Sequence, residues 1–105
     1  MIRRTEPDAM WLIHQATHAV VAGQIAAQWN GLAHGPSAPR EDLLLAAACH
    51  DAGWYAAEGQ PRINAQGLPR TFTEMDLNEH FAIWRASIDA VFAMSRYAAL
   101  LTSLH

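Results

Sequence analysis

The feature that most constrains this chain is the segment LLLAAACHDAGW, residues 43–54. Leu43 to Cys49 is apolar on every side of a helix, a pattern that belongs in a core rather than on a surface. Two titratable groups, His50 and Asp51, follow it without a break. Burying an imidazole and a carboxylate costs free energy unless they are paired or coordinate something. The pattern predicts a central helix over residues 40–52, stopped at Gly53, whose polar end needs a partner.

At 105 residues the chain is one domain, so its core must be assembled around that helix. Pro7 and Asp8 are turn formers and predict a β-hairpin from residues 2–5 and 10–14. Residues 16–30 read as a first helix with His18, Val21, Ala22, Ile25 and Trp29 on its buried face, ended at Gly31. His34 falls in the loop that follows. Pro39, Glu41 and Asp42 open the central helix. Residues 55–75 carry Gly59, Pro61, Gly67 and Pro69 and read as a long irregular loop, a candidate lid. Asp76 and Glu79 open a third helix, 77–94, with Leu77, Phe81, Trp84, Ile88, Val91 and Phe92 as its stripe. Ser95 opens a last helix, 96–105, which reaches His105 without a C-cap and marks residues 1–105 as a candidate fragment of a longer domain. The fold class expected is mainly α, a helical bundle with a short N-terminal β-hairpin.

Charge and cysteine content narrow the function. A net charge of -3 argues against nucleic acid or a membrane surface as partner, since both select a basic footprint. A single cysteine, Cys49, excludes an internally stapled secreted scaffold and fits a reducing compartment. No apolar run is long enough to span a bilayer, and no apolar h-region follows Arg3 and Arg4. These features read as a cytoplasmic protein.

Six histidines are many for this length. His18, His50, His80 and His105 fall one to each expected helix, and Asp51 adds a carboxylate beside His50. Taken singly, such a histidine is most often a satisfied core or helix-end residue; His14 and His34 are read that way. As a set, His18, His50 and Asp51 point to metal binding. Imidazole nitrogen with carboxylate oxygen suits Mn, Fe, Co or Zn, as one or two ions. Without thiolate pairs a structural zinc site is disfavoured, and Cys49 reads as a small core residue.

The blocks QATHAVVAGQIAAQW, HDAGW, EHFAIW and YAALLTSLH, in that order, resemble the HD-domain superfamily of metal-dependent phosphohydrolases. More closely, they look like an uncharacterised bacterial family within or near it. The resemblance implies an HD-like helical domain with His18, His50 and Asp51 as metal ligands. It implies His80 and His105 as the extra histidines of two-metal members. Asp51 and His80 then become the catalytic candidates in phosphate-ester hydrolysis, with Arg40, Arg62 and Arg70 as the available clamps for a small phosphorylated substrate. One departure stands out: the superfamily closes its site with a further aspartate, and no acidic residue follows Asp89. Asp89 itself reads as solvated. Two alternatives share these residues. One is a di-iron oxygenase-like site. The other is a non-catalytic helical binding or dimerisation module, a homo-oligomer included, using a tryptophan left exposed. Of Trp11, Trp29, Trp54 and Trp84, Trp29 and Trp84 are expected in the core and Trp54 over the HD corner.

Overall fold

The turn at Pro7 and Asp8 folds the start of the chain back on itself. In the computed structural model, which describes residues 1–29 and 39–105, β1 (Ile2–Glu6) and β2 (Ala9–Ile13) pair antiparallel with Ile2 opposite Ile13. The helices follow as α1 (Gln15–Gln28), α2 (Arg40–Cys49), α3 (Trp54–Glu58), α4 (Leu77–Phe92) and α5 (Arg96–Ser103). The protein is therefore mainly helical with a two-stranded N-terminal sheet. The expected stop at Gly31 and the loop around His34 lie outside the described residues. Among the described residues no helix is long and apolar enough to cross a membrane.

The expected helices form, but they turn different faces inward. α1 buries Ala16, Ala19 and Gly23, whereas Val21, Ile25 and Trp29 stay exposed, Trp29 at 62%. Backbone proximity explains the switch. A Cβ on Gly23 would lie 2.6 Å from the Cβ of Ala48, so α1 meets α2 along its small residues and the bulky ones are left outside. α4 repeats the pattern. It buries Ile83, Ser87 and Val91 at i, i+4 and i+8, and exposes Leu77, Phe81, Trp84 and Phe92. The core is correspondingly small-sided: Ala46, Val91, Ala98 and Ala99, with Leu45, Cys49, Ile88 and Leu101 packed around it. α2 is not the all-buried helix expected, since Ala46 is its one fully buried residue.

Three local devices set the helix starts. Asp76 accepts from the Glu79 N–H at 3.0 Å and caps α4, and Ser95 accepts from the Ala98 N–H and caps α5. Both agree with the sequence reading. The Ser95 hydroxyl also donates to Asp42, tying α5 to α2. α1 is capped from a distance instead. Its Gln15 N–H donates to both carboxylate oxygens of Glu58, at 2.9 and 3.1 Å.

Residues 55–75 are more ordered than a lid. After α3, Ile63 bridges Pro69 around Gly67, which takes a left-handed φ of +74°. Thr71 and Glu74 form a capping box on a 3₁₀ turn, Phe72–Glu74. The segment is also stitched to the hairpin. Arg3 donates to the Pro69 carbonyl at 2.7 Å and the Phe72 N–H to the Met1 carbonyl at 3.0 Å.

Gly53 ends nothing in the expected sense. α2 stops at Cys49, and Gly53 has an ordinary φ of -62°. Its missing side chain is needed because a Cβ there would sit 2.2 Å from the Ile83 carbonyl oxygen and 2.7 Å from the Ser87 nitrogen. The Gly53 N–H donates to Ser87 Oγ at 2.9 Å, so the corner after α2 lies directly on the α4 backbone. Gly53→Ala and Gly23→Ala are each expected to destabilise the fold by about 2–3 kcal/mol through overpacking, read as a lowered midpoint in urea unfolding.

Candidate metal centre

Successive tight turns carry the chain from α2 into α3: the Ala52 N–H donates to Cys49, Trp54 to Asp51 and Tyr55 to Ala52. His50 and Asp51 ride on this corner, pressed onto α4 by Gly53. The Gly23–Ala48 approach brings α1 alongside, with His18 in its first turn. As a result, one ligand atom each from His18, His50 and Asp51 lies within 4.8 Å of the others. Ligand atoms that close can converge on one cation.

His50 is the most enclosed of the three. It is 9% exposed, and its Nδ1 lies 2.9 Å from the Ala47 carbonyl oxygen. A carbonyl only accepts, so Nδ1 carries the proton and the Nε2 lone pair faces the cluster. Nε2 is buried without a hydrogen-bond partner. Asp51 Oδ2 stands 3.4 Å from it, close but not in hydrogen-bonding geometry. That carboxylate raises the His50 pKa above the ordinary 6.5, against the opposing effect of burial and with the Ala47 carbonyl adding to the rise. A lone pair facing a carboxylate favours a cation between them, either a proton or a metal ion.

The remaining histidines gather nearby. The His50 and His105 ring centroids are 4.4 Å apart and those of His18 and His50 5.6 Å. His18, Asp51, His80 and His105 line one cavity of about 580 Å³. Trp54, Phe72, Phe81 and Trp84 supply its aromatic walls. His80, in the first turn of α4, meets Trp54 edge-on at 5.7 Å. Trp54 is 5% exposed and shields the corner as expected, whereas Trp29 and Trp84 are not core residues. His80 and His105 share the cavity but not the tight three-ligand group. Asp89 is exposed, and among the described residues no second carboxylate joins Asp51 there.

The three arginines are not brought to the histidines. Arg40 donates to the Ala27 carbonyl at 2.7 Å and closes the end of α1. Arg62 and Arg70 both pair with Glu79, Arg70 at 3.2 Å, and line a separate cavity of about 320 Å³ on the other side of Trp54. His14 pairs with Glu58 at 3.1 Å beside the α1 start, in keeping with a helix-end role. Sequence reasoning missed two residues. Glu58, the distant cap of α1, left no local signal. Gln15, which lines the histidine cavity, had one: it precedes His18 by three residues and so shares its helix face.

Residues 1–105 match the profile of a family described as "Protein of unknown function (DUF3891)". No curated protein and no solved structure matches the chain.

The raised His50 pKa carries a sign. Its pairing with Asp51 stabilises the metal-free fold most below pH 6.5, and the contribution is lost as pH rises through the raised value. In metal-free protein, NMR titration should find His50 above its ordinary pKa, and Asp51→Asn should lower it and flatten the pH dependence of urea unfolding in that window.

Proposed function

The chain belongs to the DUF3891 family, and we propose that its His18, His50 and Asp51 form a divalent-metal centre of HD-domain type that hydrolyses a small phosphate ester. The observation that carries this reading is the buried, unpartnered Nε2 of His50, its lone pair preset by the Ala47 hydrogen bond. Buried polar atoms are rarely left unpartnered, and those that are call for an ion, a water or a chemical role. The donor set, two imidazoles and one carboxylate with open positions, suits Mn, Co, Zn or Fe(II). The histidine followed by a His-Asp pair just past the end of the next helix, in a mainly helical chain, supports the HD-like assignment.

A divalent ion held there would polarise a phosphoryl oxygen and acidify a bound water. The chain's own residues account for the rest. His50 and Asp51 would offer their lone pairs to that ion from the corner after α2. His80 stands across the same cavity against Trp54, where its imidazole can pass a proton to the leaving oxygen. Trp54 excludes water from the corner. No arginine lines this cavity, so a phosphate there would meet imidazoles and the ion rather than a guanidinium fork. That favours a substrate of low charge with an apolar or flat body against the aromatic walls.

A second reading, a helical association module, draws on the exposed side chains of α1, Ile25 at 60% and Trp29 at 62%. Sedimentation velocity and metal analysis separate the two.

Elemental analysis of untagged protein should find a transition metal near one equivalent per chain, lost in His50→Ala and in His18→Ala. Chelation should lower the thermal midpoint and abolish hydrolysis of p-nitrophenyl phosphate. Wild-type protein that takes up no metal would overturn the proposal. Iron as the resident metal, with no phosphatase turnover, would move the site to oxygen chemistry.

A further inference from the structure

Among the described residues, two buried side-chain atoms have no hydrogen-bond partner: His50 Nε2 and Gln15 Oε1. Gln15 is 7% exposed and lines the same cavity as His18, Asp51 and His80. Its backbone N–H is committed to Glu58, so the first turn of α1 is anchored while the side-chain carbonyl is left unsatisfied. An amide oxygen in that position costs stability unless something in the cavity donates to it.

The chemistry of the walls says what the donor is. Asp51 offers a carboxylate and Gln15 a carbonyl oxygen, and behind Asp51 the buried Nε2 of His50 adds a lone pair. No arginine lines the cavity and the chain has no lysine. A site rich in acceptors and without a fixed cation suits a ligand that brings positive charge and O–H donors together. A hydrated divalent cation is such a ligand.

We propose that Gln15 is a positioning residue of the metal centre, its Oε1 accepting a hydrogen bond from a water carried by the cation that His18, His50 and Asp51 hold. This rests on the metal-centre reading above and extends it by one residue. Divalent ions in protein sites commonly keep water, and the groups that hydrogen-bond to the coordination sphere tune affinity. Gln15 would thereby orient that water.

The test uses Mn(II) as probe, with Gln15→Met and Gln15→Asn. Methionine fills the same space without an acceptor, and asparagine keeps the amide but withdraws it by one methylene. Both variants should keep one Mn(II) per chain and weaken its binding by about 2- to 10-fold, the worth of one hydrogen bond. Water-proton relaxation should report a changed hydration of the bound ion. Gln15→Met should also raise the thermal midpoint of the metal-free protein, because an unsatisfied buried acceptor has been removed, while shrinking the upward shift that Mn(II) produces. A residue with only a packing role would lower the metal-free midpoint and leave the affinity alone. Unchanged Mn(II) affinity and relaxation in both variants would overturn the role of Gln15 while leaving the metal centre standing. Wild-type protein that binds no Mn(II), Co(II) or Zn(II) would overturn both. Should Gln15→Met not fold, Gln15→Asn decides by the same affinity and relaxation readouts.

Discussion

Two backbone contacts hold this site together, and both need glycine. At Gly23 the backbone of α1 lies against Ala48 of α2, and at Gly53 the corner after α2 lies against the backbone of α4 at Ile83 and Ser87. Neither position has room for a Cβ. The first contact sets the distance between His18 and His50; the second sets the direction in which the His50–Asp51 corner points. Close approach at small residues also explains the core, built from Ala46, Ala98 and Ala99 around Val91. Such a core buries little apolar area per residue, so its hydrophobic stabilisation is modest. Binding free energy from a ligand of the folded state adds to what it supplies.

Charge organises the same region. Asp51 and Glu58 are both carboxylates close to histidines, yet they do different work. Glu58 faces the start of α1, where two N–H contacts and His14 compensate it, and the arrangement closes locally. Asp51 faces an imidazole whose one proton is already given to Ala47. While the imidazole is neutral that pair lacks a positive partner, and the Gln15 oxygen lacks a donor. The cavity therefore carries acceptors from Asp51 and Gln15 beside the His18–His50–Asp51 group, walled by Trp54, Phe72, Phe81 and Trp84. The arginines that would have made it an anion site are spent elsewhere: Arg62 and Arg70 on Glu79, Arg40 on the end of α1.

Much of the site was legible because its signal is local. His50 and Asp51 are adjacent, and an apolar helix ending in such a pair asks for a partner whatever packs around it. His18 was found by its place in the preceding helix, but for a reason the structure revises: it stands exposed at the edge of the buried face rather than at its centre. Val21, Ile25 and Trp29 looked like the core face because hydrophobic periodicity favours bulky residues. Helix approach at Gly23 favours the small ones. Leu77, Phe81 and Trp84 misled in the same way, and Phe81 and Trp84 line the cavity instead.

The sequence by itself determined what depends on a few neighbouring residues. The hairpin follows from Pro7 and Asp8, the starts of α4 and α5 from the Asp76 and Ser95 caps, and the candidate ligand pair from the adjacency of His50 and Asp51. Each rests on hydrogen bonds or dihedral preferences spanning four residues or fewer. Tertiary structure alone decided which helix faces are buried, which residue caps α1, where the arginines go and that Gln15 opens onto the histidines. Those outcomes depend on how closely distant backbones approach, and that distance is set by the absence of a Cβ at Gly23 and Gly53 rather than by any local pattern.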